Sequence, residues 1–204
     1  MMKIGIYGGT FSPPHLGHVR AAHEFYRAFA LDTLYVIPTA VPPHKQAVKD
    51  INSQMRLEMT KLAFENVDCE NIVVSDYETE KKTVSYTVET LEHFRETVSD
   101  DIYLLCGTDM FLTLDTWKYA ESIFEYAKIV CVSRTSDANF IPQIAEKKAL
   151  YEKNYSADVS FLDIAPLEVS SSKIRKLISG GSDVSAYIPS TVADFIRENN
   201  LYGE

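Results

Sequence analysis

No apolar stretch in this chain comes near the ~18 residues that a membrane-spanning helix requires. The longest, such as Ile102–Cys106 and Ile129–Val132, are far shorter. The N-terminal Met-Met-Lys-Ile-Gly-Ile-Tyr-Gly-Gly lacks the apolar core of a secretory signal, so a cytoplasmic location is expected and a membrane partner is not. Cysteine is scarce. Cys69, Cys106 and Cys131 are odd in number, widely spaced and set among apolar residues, which suits reduced thiols and argues against a disulfide framework or a Cys-based zinc site. With 8 glycines and 8 prolines, collagen-like and low-complexity organisation are excluded. Positive charge is in deficit. The 20 Lys and Arg against 29 Asp and Glu leave a net charge of -9, with no basic stripe, so nucleic acid is not an expected partner. Small anionic substrates remain open, because screening over ~8 Å lets a few cations in a cleft act independently of a distant acidic surface.

What is present is an ordinary globular composition, 46% hydrophobic and 24% charged, over 204 residues. That length predicts a single domain spanning 1–204, with a helical C-terminal portion from about residue 170. Strand-like runs at Lys3–Tyr7, Leu34–Pro38, Asn71–Ser75, Ile102–Cys106, Lys128–Ser133 and Val159–Ile164 alternate with helical periodicities. The helices are read at Leu16–Ala30, Ser53–Asn66 (Ser53 as N-cap), Ser85–Val98 and Ser190–Leu201. Nearly all-apolar strands are buried on both faces, the habit of parallel sheets. The expectation is an α/β fold with a doubly wound, mainly parallel sheet, whose ligands bind beyond the carboxyl ends of the strands. Thr135–Ala157 carries the least pattern. Homo-oligomerisation is left open.

The segments after the strands carry the chemistry. After the first comes Gly8-Gly9-Thr10-Phe11-Ser12-Pro13-Pro14-His15-Leu16-Gly17-His18. Glycines let the backbone turn and approach a ligand, and prolines stiffen the loop. His15 and His18 fall where a helix begins, a place that favours anions, and both can donate to phosphate oxygens. The glycine spacing fits neither a Walker A loop nor G-x-G-x-x-G, and the histidine pair lacks a third zinc ligand. After the last strand, Ser170-Ser171-Ser172-Lys173-Ile174-Arg175 reads as a capped helix start with an arginine one turn in, a second anion site.

Other segments are more ambiguous. Pro42-Pro43-His44-Lys45 suits a phosphate contact and equally an exposed loop. Gly107-Thr108-Asp109 places a carboxylate where ribose hydroxyls could donate to it. Trp117 is either a stacking face for a planar base or a core residue, and Arg134 either a phosphate ligand or a rim arginine. No Ser/His/Asp or Cys/His nucleophile signature is present, which matches transfer chemistry that relies on positioning and charge.

Taken together, Gly8–His18 resembles the (T/G)xFxPxHxGH signature of the nucleotidyltransferase superfamily, and Val169–Arg175 resembles its ISSTxIR signature. Pro42–Lys45, Ser85–Leu91, Gly107-Thr108-Asp109, Trp117 and the tail Tyr187-Ile188-Pro189 with Tyr202 are similar to the bacterial nicotinate-nucleotide adenylyltransferases. Departures are Ser12 and Glu89, each where Asp is common, Ser172 for Thr, and Val169 for Ile. The resemblance implies a Rossmann-like nucleotidyltransferase fold and adenylyl transfer from ATP to nicotinate mononucleotide, with magnesium carried in on ATP. It implies a catalytic role for His15, His18 and Arg175. ATP would be held by Gly8, Gly9, Thr10, Phe11, Lys45, Gly107, Arg134, Ser171 and Ser172. The mononucleotide would be held by Tyr86, Thr87, Asp109 and Trp117, with the pyridine ring on Trp117 and its carboxylate at the Tyr86–Thr87 amides. The alternatives are a nucleotidyltransferase for phosphopantetheine or a polyol phosphate, and a nucleotide sensor without turnover.

Overall fold

The computed structural model describes residues 2–41, 51–67, 69, 71–81, 83–99, 101–134, 140–164 and 169–203. In chain order the elements are β1 (Lys3–Gly9), α1 (Leu16–Ala28), β2 (Thr33–Pro38), α2 (Ser53–Phe64), β3 (Ile72–Val74), α3 (Tyr77–Lys81), α4 (Thr87–Thr97), β4 (Asp101–Gly107), α5 (Thr108–Phe111), α6 (Ala120–Tyr126), β5 (Lys128–Arg134), α7 (Ile141–Tyr155), β6 (Val159–Ile164), α8 (Ser171–Ser179) and α9 (Ser190–Glu198). A 3-10 turn, Leu114–Thr116, leads into Trp117.

The six strands line up in the order β3-β2-β1-β4-β5-β6. The pairings of β1 with β4, β4 with β5, and β5 with β6 are parallel. This is the doubly wound α/β arrangement the alternation predicts. The order reverses between β1 and β4, so Gly8 and Gly107 leave the sheet at the switch point where such folds bind ligands. No helix among the described residues is long and apolar enough to cross a membrane.

Cα packing divides the chain into two compact units, each assembled from three segments. The first takes Met1–Gly8, Glu24–Tyr35 and Tyr86–Pro166; the second takes Gly9–His23, Val36–Ser85 and Leu167–Glu204. In the first unit, Ile4, Ile6, Phe25, Leu34, Leu105, Ile129, Cys131 and Tyr151 are almost fully buried, which explains why β1, β4 and β5 read as continuous apolar runs. The second unit buries Leu57, Met59 and Ala63 of α2, Ile174 of α8, and Val192 and Ile196 of α9. Thr191 Oγ1 donates to Leu62 O at 3.0 Å and ties α9 to α2.

Several local readings change. The N-cap of α2 is Asn52, whose side chain accepts the Met55 N–H, and Ser53 is the first helical residue. Helical spacing in α1 points to Val19, Ala22, Tyr26 and Phe29; Ala22 is buried, but the other three are half-buried and the buried face is Ala21, Ala22 and Phe25. The unpatterned Thr135–Ala157 segment contains the 15-residue α7. Only Ile144 and Tyr151 of α7 are buried, so its apolar stripe is too thin to register against the surrounding Glu and Lys.

Candidate active site

The loop leaving β1 is held from several sides. A Cβ on Gly9 would lie 2.8 Å from the Phe11 ring, so only glycine lets that ring pack here. Phe11 is buried and takes φ 45°, a left-handed conformation that disfavours a side chain and persists because its surroundings fix it. Its ring stands edge-on to His18, with centroids 5.0 Å apart. The Ser12–Pro13 peptide is cis.

The carbonyls of this loop are claimed by different elements. Gly9 O accepts from Thr39 N and Oγ1 at 2.9 and 3.1 Å. Thr10 O accepts from Arg56 Nη1 at 2.9 Å, Ser12 O from Arg175 Nη1 at 2.8 Å, and Pro13 O from Ser171 Oγ at 2.9 Å. These bonds fix the course of the loop backbone.

His15 is buried and His18 half-buried, and their rings stack at 3.6 Å with an 18° tilt. His15 N–H donates to His18 Nδ1 at 3.2 Å. His18 N–H is shared between His15 O at 2.8 Å and His15 Nδ1 at 3.3 Å. Both Nδ1 atoms are therefore acceptors, which places the imidazole proton of each ring on Nε2. Gly17 permits this packing: a Cβ there would lie 3.0 Å from His15 Nδ1 and 3.1 Å from Val169 Cγ1.

The start of α8 meets the same loop across more than 150 residues of sequence. Ser170 caps α8 by accepting the Lys173 N–H at 3.2 Å. Ser171 and Arg175 then bind the loop carbonyls just described, and Arg175 Nη2 donates to Ser172 Oγ at 3.1 Å. The second unit thus brings Gly9, Thr10, Phe11, His15, His18, Ser171, Ser172 and Arg175 together. Gly8 and Gly107 carry no such steric demand, since a Cβ on either meets nothing within 4 Å. Lys45, with Pro42, Pro43 and His44, lies outside the described residues, as does the side chain of Arg134.

Two further residues hold this loop: Arg56, which the sequence reading passed over, and Tyr202, which it named only within the C-terminal resemblance. Arg56 is buried and donates to Thr10 O and, at 2.7 Å, to Ala40 O. Burial lowers its pKa, against the pull of Tyr202 and Glu78. An arginine between Met55 and Met59 on a packed helix was the available signal. Tyr202 OH pairs with Ser12 Oγ at 3.0 Å. Burial pushes its pKa up to about 12, opposed by Ser12, Arg175 and Arg56.

The first unit holds the other predicted segments. Tyr86 is the extended N-cap of α4 and Thr87 its first residue. Asp109 is exposed in α5, which Thr108 Oγ1 fixes by donating to Val132 O at 3.2 Å. Trp117 is half-buried, so it is not a core tryptophan. The turn before it is anchored through Asp115, which accepts from Lys147 at 2.7 and 2.8 Å and from Tyr151 OH at 3.1 Å. Burial raises the Asp115 pKa, but these hydrogen bonds outweigh it and the carboxyl is held below its ordinary value. Beside Trp117, Lys118 Nζ lies 3.8 Å from the Tyr86 ring centroid and 3.2 Å from Glu89 Oε1, drawing the Tyr86 and Trp117 segments to one place.

The donors around the histidine loop are imidazole N–H, hydroxyl and guanidinium groups. They suit phosphate oxygens, whereas a hard divalent cation wants oxygen ligands. Among the described residues, no group of three or more His, Cys, Asp or Glu is placed to hold a metal.

Comparison with known proteins agrees with this chemistry. A family described as cytidylyltransferase-like matches residues 6–177. A probable nicotinate-nucleotide adenylyltransferase of Clostridium botulinum (strain Eklund 17B) is 37% identical over 204 residues, covering 100% of both chains. A second, from Clostridium tetani, is 37% identical over 203 residues, covering 99% of this chain and 100% of that one. A Plasmodium falciparum nicotinic acid mononucleotide adenylyltransferase, solved with NaAD, shares the fold at a TM-score of 0.78 and 20% identity, with 99% of this chain and 98% of that one covered. Full-length identity at this level, together with a family match over most of the chain, means that the chain belongs to the cytidylyltransferase-like family and, within it, to the nicotinate-nucleotide adenylyltransferases.

Proposed function

We infer that this protein transfers the adenylyl group of ATP to nicotinate mononucleotide, releasing pyrophosphate and giving nicotinate adenine dinucleotide. The observation that carries this reading is the join between the stacked His15–His18 pair and the first turn of α8, two donor-rich segments on one loop. A mononucleotide phosphate oxygen attacks the α-phosphorus in line. The new P–O bond forms as the bond to the α,β-bridging oxygen breaks, and that electron pair leaves on pyrophosphate.

His15 and His18 donate through Nε2–H to the oxygens of the α- and β-phosphates, where charge develops. Lys45, Ser171, Ser172 and Arg175 hold the β- and γ-phosphates, the future leaving group. Gly8, Gly9, Thr10 and Phe11 supply close backbone approach, and Gly107 and Arg134 border the nucleotide. Trp117 stacks on the pyridine ring, Asp109 accepts from a ribose hydroxyl, and the Tyr86–Thr87 amides receive the ring carboxylate. Magnesium enters as part of the MgATP substrate and supplies charge neutralisation on the phosphates.

Pyrophosphate release with ATP, magnesium and each of several acceptors tests the reading. Release with nicotinate mononucleotide supports it. Release only with phosphopantetheine or a polyol phosphate assigns another acceptor, and ATP binding with no release assigns a sensor.

A further inference from the structure

Lys118 is the residue through which the Trp117 segment reaches α4. Its ammonium sits over the Tyr86 ring at 3.8 Å and within 3.2 Å of Glu89 Oε1. The Lys118 and Glu89 side chains are 38% and 40% exposed, so both charges are open to a ligand arriving from solvent. Glu89 lies in the first turn of α4, two residues beyond Thr87. There it favours the helix through the dipole, but it also sets a negative charge beside the segment where the acceptor carboxylate is read to bind. A carboxylate is repelled by that charge and a carboxamide is not. The ammonium beside Glu89 cancels the repulsion, and its placement over an aromatic face holds it there.

We propose that Lys118, paired with Glu89, is a specificity-determining residue that lets this protein accept an acidic pyridine mononucleotide in preference to its neutral amide. The inference rests on the acceptor reading above and deepens it. It does not need Lys118 to touch the reacting phosphates: its effect falls on acceptor choice and not on the transfer step.

The test measures kcat/KM for nicotinate and nicotinamide mononucleotides side by side in wild type, Lys118→Gln, Lys118→Arg, Glu89→Gln and the double variant Glu89→Gln/Lys118→Gln. Removing the ammonium should lower kcat/KM for the acid about 3- to 5-fold, chiefly through KM, while the amide and the KM for ATP hold steady; that size follows from part-exposed charge pairs. Lys118→Arg should keep the wild-type preference. Removing both charges should restore acid use toward wild type, because the repelling carboxylate is gone. Raising ionic strength should shrink the loss in Lys118→Gln, because it screens the uncompensated Glu89 carboxylate. Equal losses for acid and amide in Lys118→Gln, or a double variant no better than Lys118→Gln, overturn the inference. Failure of wild type to use nicotinate mononucleotide at all overturns the acceptor reading, and the inference with it.

Discussion

At the scale of single residues, the histidine pair separates packing from chemistry. Each ring uses Nδ1 to accept a backbone N–H from the other residue, which puts its proton on Nε2, the atom that the proposed mechanism uses. An asparagine side-chain oxygen can take over the Nδ1 role but cannot reach where Nε2 points. His18→Asn should therefore keep thermal stability close to wild type while kcat falls. His18→Ala should lower kcat by ~10²-fold or more and leave the fold intact. Steady-state kinetics beside a thermal melt reads both; near-normal turnover in either variant would place the chemistry elsewhere.

At the scale of elements, the loop after β1 is built by residues that come from α2, α8 and the chain's last turn. Replacing Arg56 by Met leaves Thr10 O and Ala40 O without their donor, and the expected cost is ~2–4 kcal/mol, from two charge-assisted bonds in a buried setting. Urea denaturation measures it, and a loss below ~0.5 kcal/mol would mean that the loop is held by other ties. Tyr202 makes a pH-dependent contribution. Its folded pKa of about 12 lies above the ~10 of an unfolded tyrosine. A group raised in this way gives stability that is full below pH ~10 and lost as pH rises through ~12, because the unfolded chain ionises first. Tyr202→Phe should flatten the fall of stability across that window, measured by denaturant midpoints at each pH; an unchanged slope would contradict the burial that shifts it.

At the scale of the whole molecule, what could be read from the sequence was whatever repeats a strong local pattern. The apolar runs of β1, β4 and β5 signal burial on both faces. The Gly8–His18 and Ser170–Arg175 segments stand out through residue type and spacing, and Ser171 and Arg175 join them in the structure. What could not be read depends on partners distant in the chain. Arg56 looks like one charge on a helix until Thr10 O and Ala40 O meet it, and the resemblance takes in Tyr202 without showing that it meets Ser12. The α7 helix escaped because its sequence pattern shows only two buried residues, although its Lys147 and Tyr151 anchor the turn before Trp117. Gly17 was visible in the motif, but its reason, the space taken by His15 and Val169, was not.

The most direct measurement follows phosphorus. ATP labelled at the α-position, incubated with magnesium and nicotinate mononucleotide, should pass its label into the dinucleotide while the β- and γ-phosphates leave together as pyrophosphate, and His18→Ala should abolish most of that transfer. Label remaining in a nucleoside diphosphate, or a γ-phosphate moving to the acceptor, would contradict adenylyl transfer at this loop.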